Sequence, residues 1–333
     1  MTRFWWSIGL VGLGAGLCSA LLFASLLSGS ALSILLFCLV PLPIMIAALG
    51  WSPWASFVAV VTAAATLALT INPFLAIGFP LSVGLPAWWL GYLALLARPA
   101  GPNGELEWYP LGRLVLWAAF LSALVTLIGL AQFGSTQAGI EQSLRTAFEH
   151  MLRMQLATPA NGPLVVPNID NPKQLIDTLV RVLPPAAAAL TTITQLLNLW
   201  LAGRVVKISG RLRRPWPDIA ATRLPAAAMA ALAVAVAGSF LPGLTGMAAA
   251  LPGASLLVAF AALGFAVMHG ITRHLQGRTA ILIGLYTGFV LLGWSGWPVL
   301  VMALLGLVDA AVDLRQRFAA TRGPPPVPPP EQT

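Results

Sequence analysis

Polar residues inside apolar segments need a reason to be there, since an uncompensated charge at mid-membrane costs about 2.5–3.5 kcal/mol on insertion scales. Asp309 and Asp313 lie one helical turn apart near the end of the last apolar run. Asp313 precedes Arg317 by four residues, the spacing of a solvated helix-surface pair. Asp309, a turn deeper, is placed to face His269 or Arg273, which would make either a proton or ion site or a buried structural salt bridge. A second set, Thr191, Gln195 and Asn198, falls on one helical face at i, i+4 and i+7, with Thr192 and Thr194 beside it. Such a stripe can hydrogen-bond a solute or a neighbouring helix. Thr191, Gln195, Asn198, Asp309 and His269 are therefore the candidate substrate-binding residues.

Chemistry of other kinds finds little purchase. The three histidines, His150, His269 and His274, sit on dispersed segments, and Cys18 and Cys38 have no His or Cys at metal-ligand spacing. There is no nucleophile elbow, Walker loop or paired-histidine zinc motif. The glycine-rich run at 9–16 lies inside an apolar helix and cannot cradle a phosphate. The expectation is a protein that is not an enzyme, with no catalytic residues, no metal and no cofactor.

The elements that carry these residues belong in lipid. Only 8% of the 333 residues are charged, 58% are hydrophobic and the mean hydropathy is +0.86, against about a quarter charged in soluble chains. Apolar runs near 8–27, 31–49, 54–71, 77–97, 111–131, 185–203, 224–241, 253–271, 279–293 and 297–312 predict an all-α polytopic transmembrane helix bundle of about ten spans. Pro41 and Pro43 break the second run, and Pro80 and Pro86 the fourth, making them candidates for cavity-lining backbone. The apolar stretch after Arg3 reads as an uncleaved first helix, since Leu17 stands where a lipoprotein needs a small residue before Cys18. The organisation is a first membrane half over 1–131, an extracytoplasmic segment over 132–184, a second half over 185–314 and a disordered proline-rich cytoplasmic tail over 315–333.

The net charge of +8 is an orientation signal rather than a nucleic-acid patch. With Arg3 inside, 14 of the 18 basic residues fall on one side, among them Arg98, Arg113, Arg273, Arg278, Arg315, Arg317 and Arg322. The connections at 28–30, 72–76, 242–252 and 294–296 carry none, so both termini are expected in the cytoplasm and the chain in a cell inner membrane. The basic loop Arg204, Lys207, Arg211, Arg213, Arg214 and Arg223 would contact anionic lipid or a partner. In the long outside segment, Ile140, Leu144, Ala147, Phe148 and Met151 recur at helical spacing, an amphipathic helix that lies on the membrane or caps the bundle. Asn171-Pro172 opens a second helix there, and Pro184-Pro185 is expected to redirect the chain into the sixth span.

Small residues recur every fourth position at Gly12, Gly16, Ala20 and Ala24, and more weakly at Ala55, Ala59 and Ala63, faces that let another helix or a partner subunit approach closely. The run Asn198-Leu-Trp-Leu-Ala-Gly-Arg204, the basic Arg211-Leu-Arg-Arg-Pro215-Trp-Pro217, the Arg223-Leu224-Pro225 that opens the next span and the preceding Leu183-Pro184 resemble the loop region of the YybS-like family of uncharacterised polytopic membrane proteins. That family is distantly similar to the S components of energy-coupling-factor transporters. The resemblance implies a small-molecule site open to the outside and a first-helix face, here Gly12, Gly16, Ala20 and Ala24, that meets a coupling subunit. The leading expectation is thus an integral membrane protein that binds or helps transport a small solute. The alternative is a membrane scaffold for envelope or division machinery, with envelope proteins as partners.

Overall fold

The computed structural model describes residues 2–100, 105–156, 159, 162, 166–167, 169 and 171–320. The expected polyproline run lies outside the described residues. Among the described residues the elements are helices joined by loops, apart from one short hairpin and an isolated bridge. The first five apolar segments are α1 (Thr2–Ala24), α2 (Ala31–Cys38) with α3 (Pro41–Gly50), α4 (Pro53–Thr70), α5 (Leu75–Phe79) continued through a π turn into α6 (Leu85–Ala94), and α7 (Leu111–Ala131). The hairpin pairs β1 (Ala97–Ala100) with β2 (Glu105–Trp108) in antiparallel register, Arg98 opposite Glu107, where the sequence reading had only a loop. Then come α8 (Gln137–Gln155), α9 (Pro172–Ile208), α10 (Ala227–Ser239), α11 (Gly243–Ile271), α12 (Arg278–Leu292), α13 (Trp297–Val312) and α14 (Leu314–Ala320).

The small-residue faces of α1 and α4 meet each other. A Cβ on Gly12 would sit 2.7 Å from the Ala55 carbonyl oxygen, and one on Gly16 2.6 Å from that of Ala59. Ala20, Ala55, Ala59 and Ala63 are buried, so two backbones pack without intervening side chains. Of the face Gly12, Gly16, Ala20 and Ala24, to which the resemblance assigns a coupling subunit, Gly12 and Gly16 pack against α4. A second contact of this kind joins α11 to α13, where Gly264 lies against the Met302 carbonyl and Gly306 against that of Phe260.

The prolines act differently in different places. Pro41 and Pro43 break the second segment after Cys38, and the exposed carbonyls are taken up from other helices: Asn198 Nδ2 donates to the Cys38 oxygen at 2.7 Å and the Ser19 hydroxyl to that of Val40 at 3.0 Å. Buried backbone groups in a membrane require such replacement. Around Pro80 the helix widens into the π turn Pro80–Gly84, which brings Gly84 against Val60 of α4. Pro184 and Pro185, by contrast, do not turn the chain. Both lie inside the 37-residue α9, about 55 Å long, because proline's fixed φ is already helical and only two backbone donors are lost.

At that length α9 exceeds a bilayer core of about 30 Å, and α8 packs on its N-terminal half. Ile140 and Leu144 are buried with Ile176, Val180 and Leu251, and Arg145 pairs with Asp177. The amphipathic segment thus caps the bundle, with Met151 left exposed. α11 starts ten residues before the expected span, so 243–252 is helix and not connection. It contacts α7, α9, α10 and α13 and ties the two ends of the chain into one bundle. Among the described residues seven segments are long and apolar enough to cross a membrane; α10, α12 and α13 are apolar but have only 13, 15 and 16 residues.

Candidate functional site

The polar stripe of α9 faces inward. Thr192, Gln195 and Asn198 are buried, whereas Thr191 is only partly so. The Thr192 hydroxyl donates to the Ala188 carbonyl, and Asn198 spends its amide protons on Cys38 and Thr194. The side-chain oxygens of Gln195 and Asn198 are buried without a donor among the described residues. Asn198 therefore holds a broken helix together.

Asp309 stands elsewhere, and its partner is not the one expected from sequence. Arg315 grips the carboxylate with three N–H contacts between 2.7 and 3.2 Å and adds its backbone N–H at 3.2 Å. The cause is Asp313, whose left-handed backbone (φ 53°) ends α13 and swings α14 round, so that Arg315 points back at Asp309. The same break separates Asp313 from Arg317; Asp313 pairs with Arg223 at 2.8 Å. His269 bonds the Tyr286 hydroxyl at 2.8 Å, and Arg273 pairs with Asp218 at 2.7 Å. The five candidate binding residues do not converge.

What does converge is a cavity of about 280 Å³ at the end of the bundle that bears the basic loop. α9 turns a different stripe toward it, Leu196, Leu199, Trp200 and Gly203, one residue round from the polar one. Leu111 and Leu114 of α7, Ala94 of α6, Leu49 of α3, and Ala259, Ala262 and Leu263 of α11 form the other walls. The roof is the loop 209–226, which contributes Leu212, Arg214, Trp216, Pro217, Ile219, Thr222 and Leu224. Neither the polar stripe of α9 nor the proline-broken 80–86 backbone lines it.

The loop is fastened at many points. Gly112 lies against the Arg223 carbonyl, leaving no room for a Cβ. Arg315 donates to the Ala220 carbonyl at 2.7 Å, and Asp218 caps the short turn Ile219–Ala221 while bound to Arg273. The Arg273 hydrogen bond holds the Asp218 carboxyl below the usual carboxylate range, so this tie stays charged at neutral pH. The Trp216 ring packs beside Gly203 and takes Arg204 and Lys207 over its face at 5.5 and 5.0 Å. Arg211 sits 4.5 Å over Trp51. Arg213 is exposed, and Arg214 alone of the basic residues turns into the cavity.

Sequence reading singled out Arg214 only as one of a basic cluster. The available signal was its setting, Arg-Pro-Trp-Pro, in which two prolines stiffen the chain around a large aromatic ring.

No curated protein and no solved structure matches the chain. Residues 17–310 match the family described as predicted membrane protein, DUF2232. With the match running from α1 to α13 and enclosing every wall of the cavity, the chain belongs to that family of membrane proteins.

Proposed function

We propose that this multi-pass protein is a non-enzymatic binder of a small solute, held in the cavity under the loop 209–226, and that it serves the solute's passage across or along a cell inner membrane. The cavity carries the reading: an apolar, largely preformed hollow between helices with few polar groups is the usual form of a small-ligand site. The basic loop above it favours the cytoplasmic side by the positive-inside rule. On this reading the site lies on the side opposite the outside-open one that likeness to S components implies.

Native mass spectrometry of protein extracted gently from its own membrane tests this. A reproducible small-molecule adduct is expected, lost in Ala262→Trp, which fills the cavity, and kept in Asn198→Ala, whose side chain lies outside it. An adduct unaffected by Ala262→Trp in a folded sample would remove the cavity from the account.

A further inference from the structure

We propose that the cavity takes a single-chain amphiphile with one negative charge, its anionic head on Arg214 and its aliphatic body along Leu114, Leu196, Leu199 and Leu263. This rests on the cavity being the binding site and adds the chemical class of its occupant.

The lining is aliphatic and aromatic except for Arg214 and the Thr222 hydroxyl. Three other arginines on the same end, Arg223, Arg273 and Arg315, each hold a carboxylate. Arg214 pairs with none among the described residues; its one hydrogen bond is from Nη1 to the Ala94 carbonyl at 3.2 Å. A guanidinium has five N–H donors, so most of its capacity is unspent while the group is partly withdrawn from water. Burial also pushes its pKa down from the ordinary value, the mark of a cation lacking a counter-charge. A carboxylate or phosphate monoanion would supply the missing charge in the bidentate geometry that arginine favours.

The other end of the ligand follows from the walls. Apart from Arg214, their side chains offer only the Thr222 hydroxyl and the indole N–H groups of Trp200 and Trp216, so a sugar or nucleobase would lose most of its hydrogen bonds on entry. At about 280 Å³ the space is just under the range of common ligand pockets and suits one chain or one ring system. Trp200 and Trp216 in the lining report occupancy by their fluorescence.

Full-length protein in nanodiscs of neutral lipid is titrated with dodecanoate and with dodecanol, at equal mole fraction in the bilayer, following tryptophan fluorescence and melting temperature. Dodecanoate is expected to bind at least tenfold more tightly than dodecanol. Arg214→Gln should abolish that preference with an unchanged ligand-free melting temperature, and Arg214→Lys should keep part of it. Equal binding of acid and alcohol, or a preference that survives Arg214→Gln, overturns the proposal while leaving the cavity reading in place. Binding of both ligands that persists in folded Ala262→Trp overturns the cavity reading itself. Hexanoate, which stays in water, separates the sources: if it displaces dodecanoate at comparable concentration the natural ligand is a soluble anion, and if only the long chain binds it is drawn from the lipid phase.

Discussion

Asp309 and Asp313 are four residues apart, and their ion pairs live in different solvents. The Asp309 side chain is 2% exposed and its Arg315 partner 12%, whereas Asp313 and Arg223 are 34% and 56% exposed. Removing one member of a buried pair leaves a charge without compensation and costs about 3–5 kcal/mol, while an exposed pair contributes about 0–1 kcal/mol. Asp309→Asn should therefore lower the melting temperature of the purified protein sharply, and Asp313→Asn barely, in the same thermal scan. Sequence identified Asp309 as the acid that mattered because it sits deep in an apolar run. It could not identify the partner, since Arg315 reaches back only through the left-handed turn at Asp313, a conformation that aspartate tolerates without announcing it.

Helix contacts were legible where the pattern repeats and hidden where it does not. Gly12, Gly16 and Ala20 repeat every fourth residue, as do Ala55, Ala59 and Ala63, and the two stripes dock on one another. Gly264 and Gly306 make an equally close crossing, but the residues four positions before them are Phe260 and Met302, so neither falls in a repeating stripe of small residues. The α1–α4 contact predicts a sharp contrast within one helix. Gly12→Val and Gly16→Val place atoms into the Ala55 and Ala59 carbonyls and should abolish a monodisperse peak on size-exclusion chromatography. Gly9→Val and Gly14→Val, which meet nothing within 4 Å, should leave it intact. The Pro184-Pro185 pair misled for a related reason: two prolines look like a break in sequence, yet α8 packs on the helix on one side of them and the bundle on the other, and this holds α9 straight through the pair. The cavity was not legible at all, because its walls come from α3, α6, α7, α9 and α11 and its roof from a loop. Only three-dimensional packing brings those elements to one place.

At the scale of the molecule the ten apolar segments, the cap and the basic end were all visible in hydropathy and charge, which act segment by segment. Orientation is open to direct measurement. Cys18 and Cys38 are the only cysteines, so a background lacking both accepts single reporters. A cysteine at Gln142 on α8 should react with an impermeant thiol reagent applied to intact cells, and one at Ser209 only after the membrane is opened. The reverse pattern would invert the cytoplasmic placement of the cavity.

The short helices α10, α12 and α13 have a mechanical consequence for the surrounding bilayer. Their 13, 15 and 16 residues give about 20–24 Å of helix against a hydrocarbon core of about 30 Å, while α9 and α11 exceed that core. Lipid beside α12, which buries none of its own residues, is therefore expected to thin to meet the short helices, pinching the membrane on one side. In nanodiscs, exchanging oleoyl for myristoyl chains should raise the melting temperature; a fall would mean that the loops flanking these helices make up the missing length. On a pinched flank the headgroups of the two leaflets come closer together, which shortens the distance that any amphiphile must carry its charge through oil.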